Sequence, residues 1–313
     1  MEAIDFKIYG YRWVVLVAFM FVISINQLLW ITFAPITGSA AIYYGVSDLS
    51  IGLLSMCFMI VYIVVSIPAS WVIDKFGIRV AVGIGVTLTG LFGLMRGLVA
   101  TDYNLVLIAQ IGIAIGQPFI LNAVTTVAAR WFPIQERATA VGLGSLSMYV
   151  GIAVALVLTP YLTIQSQISG MLLAYGIVSV ISIVVFFALV KERPPTPPCL
   201  PGQEERSLVF DGFKESLRIR NFALLLIIFF VGLGVFNAVT TWIEDIVRPR
   251  GFSIIQAGNI GGLMILGGII GAVVIPLLSD HYRKRTPFLL LAVVGATVGL
   301  IGITFSTSTQ LLL

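Results

Sequence analysis

The stretches SWVIDKFGIR, at residues 70–79, and PLLSDHYRKR, at residues 276–285, each follow a long apolar run of the chain. Both place a small or turn-forming residue four positions before an aspartate, Asp74 or Asp280, and basic side chains after it. A charged loop that recurs about two hundred residues later, again after an apolar run, indicates an internal repeat of a membrane-helix bundle.

The composition is that of a polytopic membrane protein. Of the 313 residues, 59% are hydrophobic and only 10% are charged, whereas soluble domains carry about 25% charged residues. Mean hydropathy is +1.07. The net charge of +4 therefore belongs to the loops, and we expect no nucleic-acid partner. Cys57 and Cys199 lack metal-ligand spacing and predict neither a metal site nor a disulfide.

Nine apolar segments are long enough to cross a bilayer, which takes about 20 residues each. They lie at about 13–37, 48–73, 79–100, 104–130, 137–163, 169–190, 221–245, 254–279 and 287–306, and residues 308–313 look like the start of a tenth. The predicted fold class is an all-α polytopic membrane protein. It has a six-helix bundle at 1–190, a polar linker at 191–220 and the start of a second bundle at 221–313.

Lysine and arginine are distributed unevenly among the predicted loops. The first, third and fifth loops have none, whereas the N-terminal segment, the second and fourth loops, the linker and the loop at 280–285 are basic. The positive-inside rule then places the N-terminus and the linker in the cytoplasm. Arg248 and Arg250 lie on the predicted outer side, and we expect them to contact headgroups or pair with Glu244 and Asp245. Residues 209–217 have amphipathic spacing, which predicts a helix on the membrane surface.

The repeated stretches resemble the signature between helices 2 and 3 of the major facilitator superfamily of transporters. The stretch RWFPIQERATA, at 130–140, resembles that superfamily's segment between helices 4 and 5. The resemblance implies six plus six helices, of which these spans cover about three-quarters, so we expect the last helices to be missing from this sequence. It also implies a cytoplasmic gate, with Asp280 near the start of the fifth span. The matching residues are Asp74, Gly77, Arg79, Arg130, Glu136, Arg137, Asp280 and Arg283.

Pockets in this superfamily lie near mid-membrane on helices 1, 4, 7 and 10. The first, fourth and seventh spans carry uncharged polar side chains, which in a bilayer mark a solute pathway or an interhelical bond. Their central parts hold no charged residue, and Arg96 is expected to snorkel from the outer end of the third span. An aromatic and amide pocket suits a neutral or cationic solute. The candidate substrate-binding residues are Asn26, Gln27, Trp30, Gln110, Gln117, Asn237 and Thr241.

One branch of the superfamily fits these residues best. The stretches YGVS at 44–47, LSMCFM at 54–59, KFGIR at 75–79 and QPFIL at 117–121 resemble the feline leukaemia virus subgroup C receptor-related transporters. That branch is linked to choline, ethanolamine and haem. The resemblance implies pocket roles for Trp30 and Gln117, whereas Asn237 stands near the position of the branch's helix 7 aromatic residue.

We therefore predict a plasma-membrane transporter that moves a small organic solute, such as a choline-like compound, by alternating access. One alternative is a proton-coupled efflux carrier of amphipathic compounds, which would need a carboxylate in the missing helices. Another is a non-transporting partial carrier or receptor. Because the sequence lacks a nucleophile–base or metal cluster and any nucleotide-binding Gly-Lys-Ser/Thr motif, we predict no enzyme activity and no cofactor. The expected partners are the solute and the lipid bilayer, and we expect a monomer.

Overall fold

The computed structural model describes residues 8–199, 219–283 and 285–305, apart from the side chain of Asp280. The surface helix predicted at 209–217 lies outside the described residues. The first half of the chain forms α1 (Tyr11–Ile31), α2 (Thr37–Tyr44), α3 (Asp48–Phe76), α4 (Ile78–Leu98), α5 (Tyr103–Leu121), α6 (Val124–Trp131) and α7 (Ile134–Leu189). The second half forms α8 (Arg220–Thr241), α9 (Ile243–Val247), α10 (Ile254–Tyr282) and α11 (Thr286–Phe305).

Eight helical stretches are long and apolar enough to cross a membrane. One of them, α7, has 56 residues and breaks at Gln167, where φ is 61°, so that its two arms form the fifth and sixth predicted spans. The all-α membrane fold is therefore confirmed. We call the membrane end that carries Tyr11 the inner end and the opposite one, where α3 begins, the outer end.

Proline and polar caps set the ends of several helices. Because Pro35 has no N–H for the Ile31 carbonyl, α1 ends at Ile31, earlier than predicted, and α2 occupies much of the predicted first loop. The fourth span is interrupted after Pro118, between α5 and α6. Ser47 caps α3 by accepting a hydrogen bond from the Ser50 N–H at 3.2 Å.

The first half has a core at the inner end, built from α1, α4, α6 and α7. A second core at the outer end joins the two halves, because it includes Ile243, Val247 and Ile260 beside residues of α1, α3 and α7. Small residues allow the helices to meet closely, as the glycine-rich spans predict. A side chain at Gly258 of α10 would collide with the Leu156 carbonyl of α7, and one at Gly151 with Ser24 of α1.

Candidate functional site

An ion cluster joins the two halves at the outer end. Arg248 lies between three carboxylates: its Nη2 is 2.5 Å from Asp48 and 2.7 Å from Asp245, and its Nη1 is 3.3 Å from Glu244. Asp48 begins α3 in the first half, whereas the other three residues follow α8 in the second. Glu244 also accepts a hydrogen bond from the Gly38 N–H at 2.9 Å. We call Asp48, Glu244, Asp245 and Arg248 the outer cluster.

Burial raises the pKa of two carboxyl groups in this cluster. The Glu244 side chain is only 3% exposed, and burial raises its carboxyl pKa, against the opposing effects of the Gly38 N–H and Arg248. Burial also raises the pKa of Asp245, whose carboxylate is close to Arg248 but out of line for a hydrogen bond. The expected pairing of Arg248 with Glu244 and Asp245 is confirmed; the inter-half partner Asp48 was not predicted.

Two glycines of the first half make room for this contact. The Arg248 guanidinium lies against Gly38, and the Trp242 ring lies against Gly52 of α3, so a side chain at either glycine would collide with the second half. Neither glycine was singled out by sequence, because the partner that makes its size matter lies about two hundred residues away.

The seven candidate substrate-binding residues, which we call the polar belt, lie on α1, α5 and α8, and several of them are already hydrogen-bonded within the protein. Asn26 Nδ2 donates to Thr89 Oγ1 at 3.1 Å, and Gln27 Nε2 donates to Asn26 Oδ1 at 3.3 Å. The Trp30 indole N–H donates to the Ser55 carbonyl at 3.1 Å. These bonds tie α1 to α4 and α3.

Arg96 is fully buried rather than snorkelling at the outer end, so that expectation was wrong. Its guanidinium donates to the Leu29 carbonyl at 3.0 Å, to Gln110 Oε1 at 2.7 Å and to Thr32 Oγ1 at 3.3 Å. Because α1 ends at Ile31, its last carbonyls have no helical donor, and Arg96 satisfies one of them. Gln110 Nε2 also donates to the Leu29 carbonyl, at 3.2 Å.

Other members of the belt have no such bonds. Gln117 is 3% exposed, and its amide has no hydrogen-bond partner among the described residues although its polar atoms stay accessible. Thr241 is 7% exposed, and its hydroxyl is likewise unpartnered within the described ranges. Asn237 is partly exposed on α8. These side chains have hydrogen-bonding capacity left for a solute.

The charged residues at the inner end form short networks within the first half. Arg12 holds Glu136, in the first turn of α7, through Nε at 3.0 Å and Nη2 at 3.2 Å. Arg130 pairs with Glu192. Arg137 donates to the Ala129 and Phe132 carbonyls at 3.1 and 3.2 Å.

Glu192 was missed by sequence reasoning, although it caps the helix that follows the first repeat stretch. Its oxygens accept from the Ile78 N–H at 3.1 Å and the Arg79 N–H at 2.7 Å. Gly77, at the start of α4, has φ 88°, a conformation that favours glycine. A loop residue that caps a helix more than a hundred positions earlier leaves no local sequence signal.

The side chains of the remaining predicted gate residues make no ion pair among the described residues. Asp74, Arg79 and Arg283 are exposed, and Arg283 has φ 51°. The side chain of Asp280 lies outside the described residues, so its expected approach to the start of α7 stays a prediction. Ser70 accepts a hydrogen bond from Asn122 at 3.0 Å and so ties α3 to the break between α5 and α6.

Comparison with known proteins identifies the family. Residues 13–313 match the model of the Major Facilitator Superfamily. The chain belongs to the major facilitator superfamily. Among solved structures, a bacterial homologue of the human lysosomal transporter Spinster, inward-facing and unoccupied, has a TM-score of 0.75 at 18% identity, over 98% of this chain and 72% of that one. A D-xylose–proton symporter has a TM-score of 0.62 at 14% identity, over 87% of this chain and 70% of that one.

Curated relatives include the branch indicated by sequence. Solute carrier family 49 member A3 of Xenopus tropicalis is 30% identical over 95% of this chain and 65% of its own length. The human choline/ethanolamine transporter FLVCR2 is 26% identical over 96% of this chain and 60% of its own length. The choline/ethanolamine transporter FLVCR1 of Felis catus is 28% identical over 94% of this chain and 56% of its own length. The chain thus spans less than two thirds of the length of these relatives. Family and fold point to a transporter rather than an enzyme.

Proposed function

We propose that this protein carries a small organic solute across a membrane by alternating access. The observation that supports this most strongly is the match of residues 13–313 to a superfamily of transporters. The arrangement of the two halves agrees with the proposal. They meet at the outer end through an ion cluster and an apolar seam. Such a contact can break when the carrier opens outward, because its charges gain hydration as they separate.

The proposed solute is a small cationic or neutral compound of the choline or ethanolamine type. Two relatives are named choline/ethanolamine transporters. Trp30 supplies the aromatic ring that we assign to cation binding. It is 3% exposed in this structure, and its orientation is fixed by the bond from its indole N–H to the Ser55 carbonyl. We assign solute contacts to Trp30, Gln117, Asn237 and Thr241. Asn26 and Gln110, which bond to neighbouring helices, and Gln27, which bonds to Asn26, would position the pocket.

The proposed orientation has the N-terminus in the cytoplasm of a plasma-membrane carrier. In the first half and the start of the linker, seven described cationic side chains and three carboxylates lie at the inner end, which the positive-inside rule assigns to the cytoplasm. Asp74, Gly77, Arg79 and the networks of Arg130, Glu136 and Arg137 would then form the first half's share of the cytoplasmic gate, with Asp280 and Arg283 from the second half.

Binding measurements on purified protein test the pocket. We expect Trp30→Ala to weaken choline binding about tenfold, because a desolvated cation–π contact contributes about 1–2 kcal/mol. Gln117→Ala should weaken it to a similar extent, since a hydrogen bond to a charged or buried partner is worth about 1–3 kcal/mol. Trp131→Ala is the matched control: Trp131 is buried at the inner end and donates to the Lys191 carbonyl, so its loss should reduce stability and leave affinity unchanged. If folded Trp30→Ala and Gln117→Ala both bind choline as tightly as the parent protein, the two residues serve in helix packing and do not bind the solute.

A proton-coupled carrier is a second candidate, favoured by the outer cluster. Three carboxylates surround one guanidinium, so that the cluster holds more negative than positive charge in a partly buried site. Such an arrangement can take up a proton without any carboxylate from further helices. Uptake into proteoliposomes that follows an imposed pH gradient, and loses this dependence in Glu244→Gln, would support coupling; uptake that ignores the gradient would exclude it.

A further inference from the structure

An open groove runs along the surface of the first half, away from the seam between the halves. It has a volume of about 620 Å³, and it lies between α4 and the second arm of α7. Gly83 lines the groove, and a side chain at this position would press against the Phe187 ring. Arg79 lies at the inner end of the groove and Leu88 toward the middle of the span, about 13 Å further along the helix axis.

The walls of this groove are those of a lipid-facing surface. Val80, Ile84 and Phe187 are 48%, 40% and 43% exposed, and all three belong to membrane-spanning helices. Thr87 supplies a hydroxyl deeper in the groove. In a bilayer this apolar channel is filled by hydrocarbon, and its length accommodates a large part of one acyl chain.

The inner end of the groove carries one cationic side chain, Arg79. Arg79 is exposed, and its guanidinium makes no ion pair with a side chain in the described ranges. The nearby Glu192 carboxylate is occupied by the backbone N–H groups of Ile78 and Arg79 and by Arg130. The surrounding inner end is net positive. In the first half and the start of the linker, the described charges are Arg12, Lys75, Arg79, Arg130, Arg137, Lys191 and Arg193 against Asp74, Glu136 and Glu192.

We propose that this groove is a binding site for one anionic phospholipid of the leaflet at the inner end. The phosphate and the acidic headgroup lie on the Arg79 guanidinium, and one acyl chain lies along Val80, Ile84 and Phe187. A zwitterionic lipid fills the same channel but gains less, because its own cation offsets the attraction of the basic end. The site is separate from the polar belt, so it does not depend on which solute the protein carries.

Native mass spectrometry of the whole purified chain tests this site, with phosphatidylglycerol and phosphatidylcholine of matched acyl chains as probes. We expect one phosphatidylglycerol to remain bound at lipid concentrations where phosphatidylcholine has dissociated. Arg79→Gln should weaken that binding about fivefold, the effect of removing one cation near an acidic headgroup. Thr87→Trp should also weaken it, because an indole fills the channel without changing the charge.

Two controls decide the outcome. Lys75→Gln removes a cation at the same end, but the Lys75 ammonium lies over the Trp71 ring at 4.7 Å rather than in the groove, so binding should persist. Arg79→Lys should retain most of it, which separates loss of charge from misfolding. Equal binding of both lipids, or equal loss in Lys75→Gln and Arg79→Gln, would overturn the proposal. Unchanged binding in Thr87→Trp would show that the lipid contacts only the basic end, and would overturn it as well.

Discussion

Arg96 shows how one buried cation can hold a helix break in place. It is fully buried beneath the end of α1, and the Phe33 ring lies 5.7 Å from its guanidinium carbon. The residues it contacts are those on which Trp30 depends, because Arg96 and Gln110 fix the carbonyl of the preceding Leu29. A cation in the third span therefore positions Trp30, a proposed pocket residue, in the first.

We expect Arg96→Leu to destabilise the protein by about 2–5 kcal/mol, because each buried acceptor that loses its donor costs about 1–3 kcal/mol. It would leave Gln110 Oε1 and the Thr32 hydroxyl without their donor. Thermal unfolding in detergent measures the loss. Gln110→Leu, which leaves Arg96 two of its partners, should cost less. Equal stability of Arg96→Leu and the parent protein would contradict a structural role for the guanidinium.

Glu244 gives the outer cluster a pH dependence whose sign follows from burial. Its carboxyl pKa is raised in the closed arrangement, so closing takes up protons. Closure should therefore strengthen as pH falls toward the ordinary glutamate value of about 4.3 and weaken above the raised pKa. Asp48, Asp245 and Arg248 share the site, so the titration belongs to the whole cluster.

Spin labels on the exposed residues Ile42 and Ser253 report the separation of the halves. In a background without Cys57 and Cys199, we expect the short-distance population to grow at acidic pH. Glu244→Gln should remove this growth while keeping an acceptor for the Gly38 N–H. Asp102→Asn, a change at the α5 cap on the same outer end, should keep it. A distance distribution that does not change with pH would rule out protonation of the cluster as a factor in closure.

At the scale of helices, the seam between α7 and α10 depends on a few glycines. Gly258 meets the Leu156 carbonyl, and Gly262 meets the Val157 side chain, whereas a side chain added at Gly267 would begin in open space, with no atom within 4 Å of its Cβ. The sequence shows the glycines of this helix but not what each of them contacts. Which of them face a partner follows from the angle at which the two helices cross, and that angle is a property of the assembled bundle.

Gly258→Val should separate α7 from α10 and reduce closure at the outer end, because its side chain would collide with backbone that cannot move aside. Gly267→Val is the matched control, with the same change of residue on the same helix and open space around it. Spin labels at Ile42 and Ser253 measure both variants. If the two variants close equally well, the close approach of α7 and α10 does not hold the halves together.

At the scale of the whole molecule, the helical fold and the repeat were predictable because hydropathy and recurring charged loops are local patterns. The sequence did not allow us to predict which polar residues would be hydrogen-bonded and which would stay accessible. Gln110 and Gln117 lie seven positions apart on one helix, yet Gln110 is bonded to Arg96 whereas Gln117 has no partner in the described part of the chain. Pairings such as Glu192 with the start of α4 depend on tertiary contacts across more than a hundred residues.

Alternating access predicts that fixing the outer cluster stops transport. Asp48 and Arg248 come from opposite halves and are 2.5 Å apart at their closest atoms. In a cysteine-free background, Asp48→Cys with Arg248→Cys can be bridged by a short bis(methanethiosulfonate) reagent. It forms a reducible disulfide with each thiol and releases methanesulfinate, and the bridge prevents the halves from separating at the outer end. Each sample is compared before and after bridging, because the substitutions themselves remove the ion pair.

We expect bridging to abolish choline uptake into proteoliposomes and reduction to restore it. Either single cysteine variant treated with the same reagent should keep its uptake, which excludes simple modification as the cause. Choline binding from the inner side should survive bridging, since the pocket would remain accessible from there. Uptake that continues in fully bridged protein would contradict an outer opening between the halves. Loss of both binding and uptake would indicate that the bridge distorts Trp30 and its neighbours, and that the outer cluster and the pocket form one rigid unit.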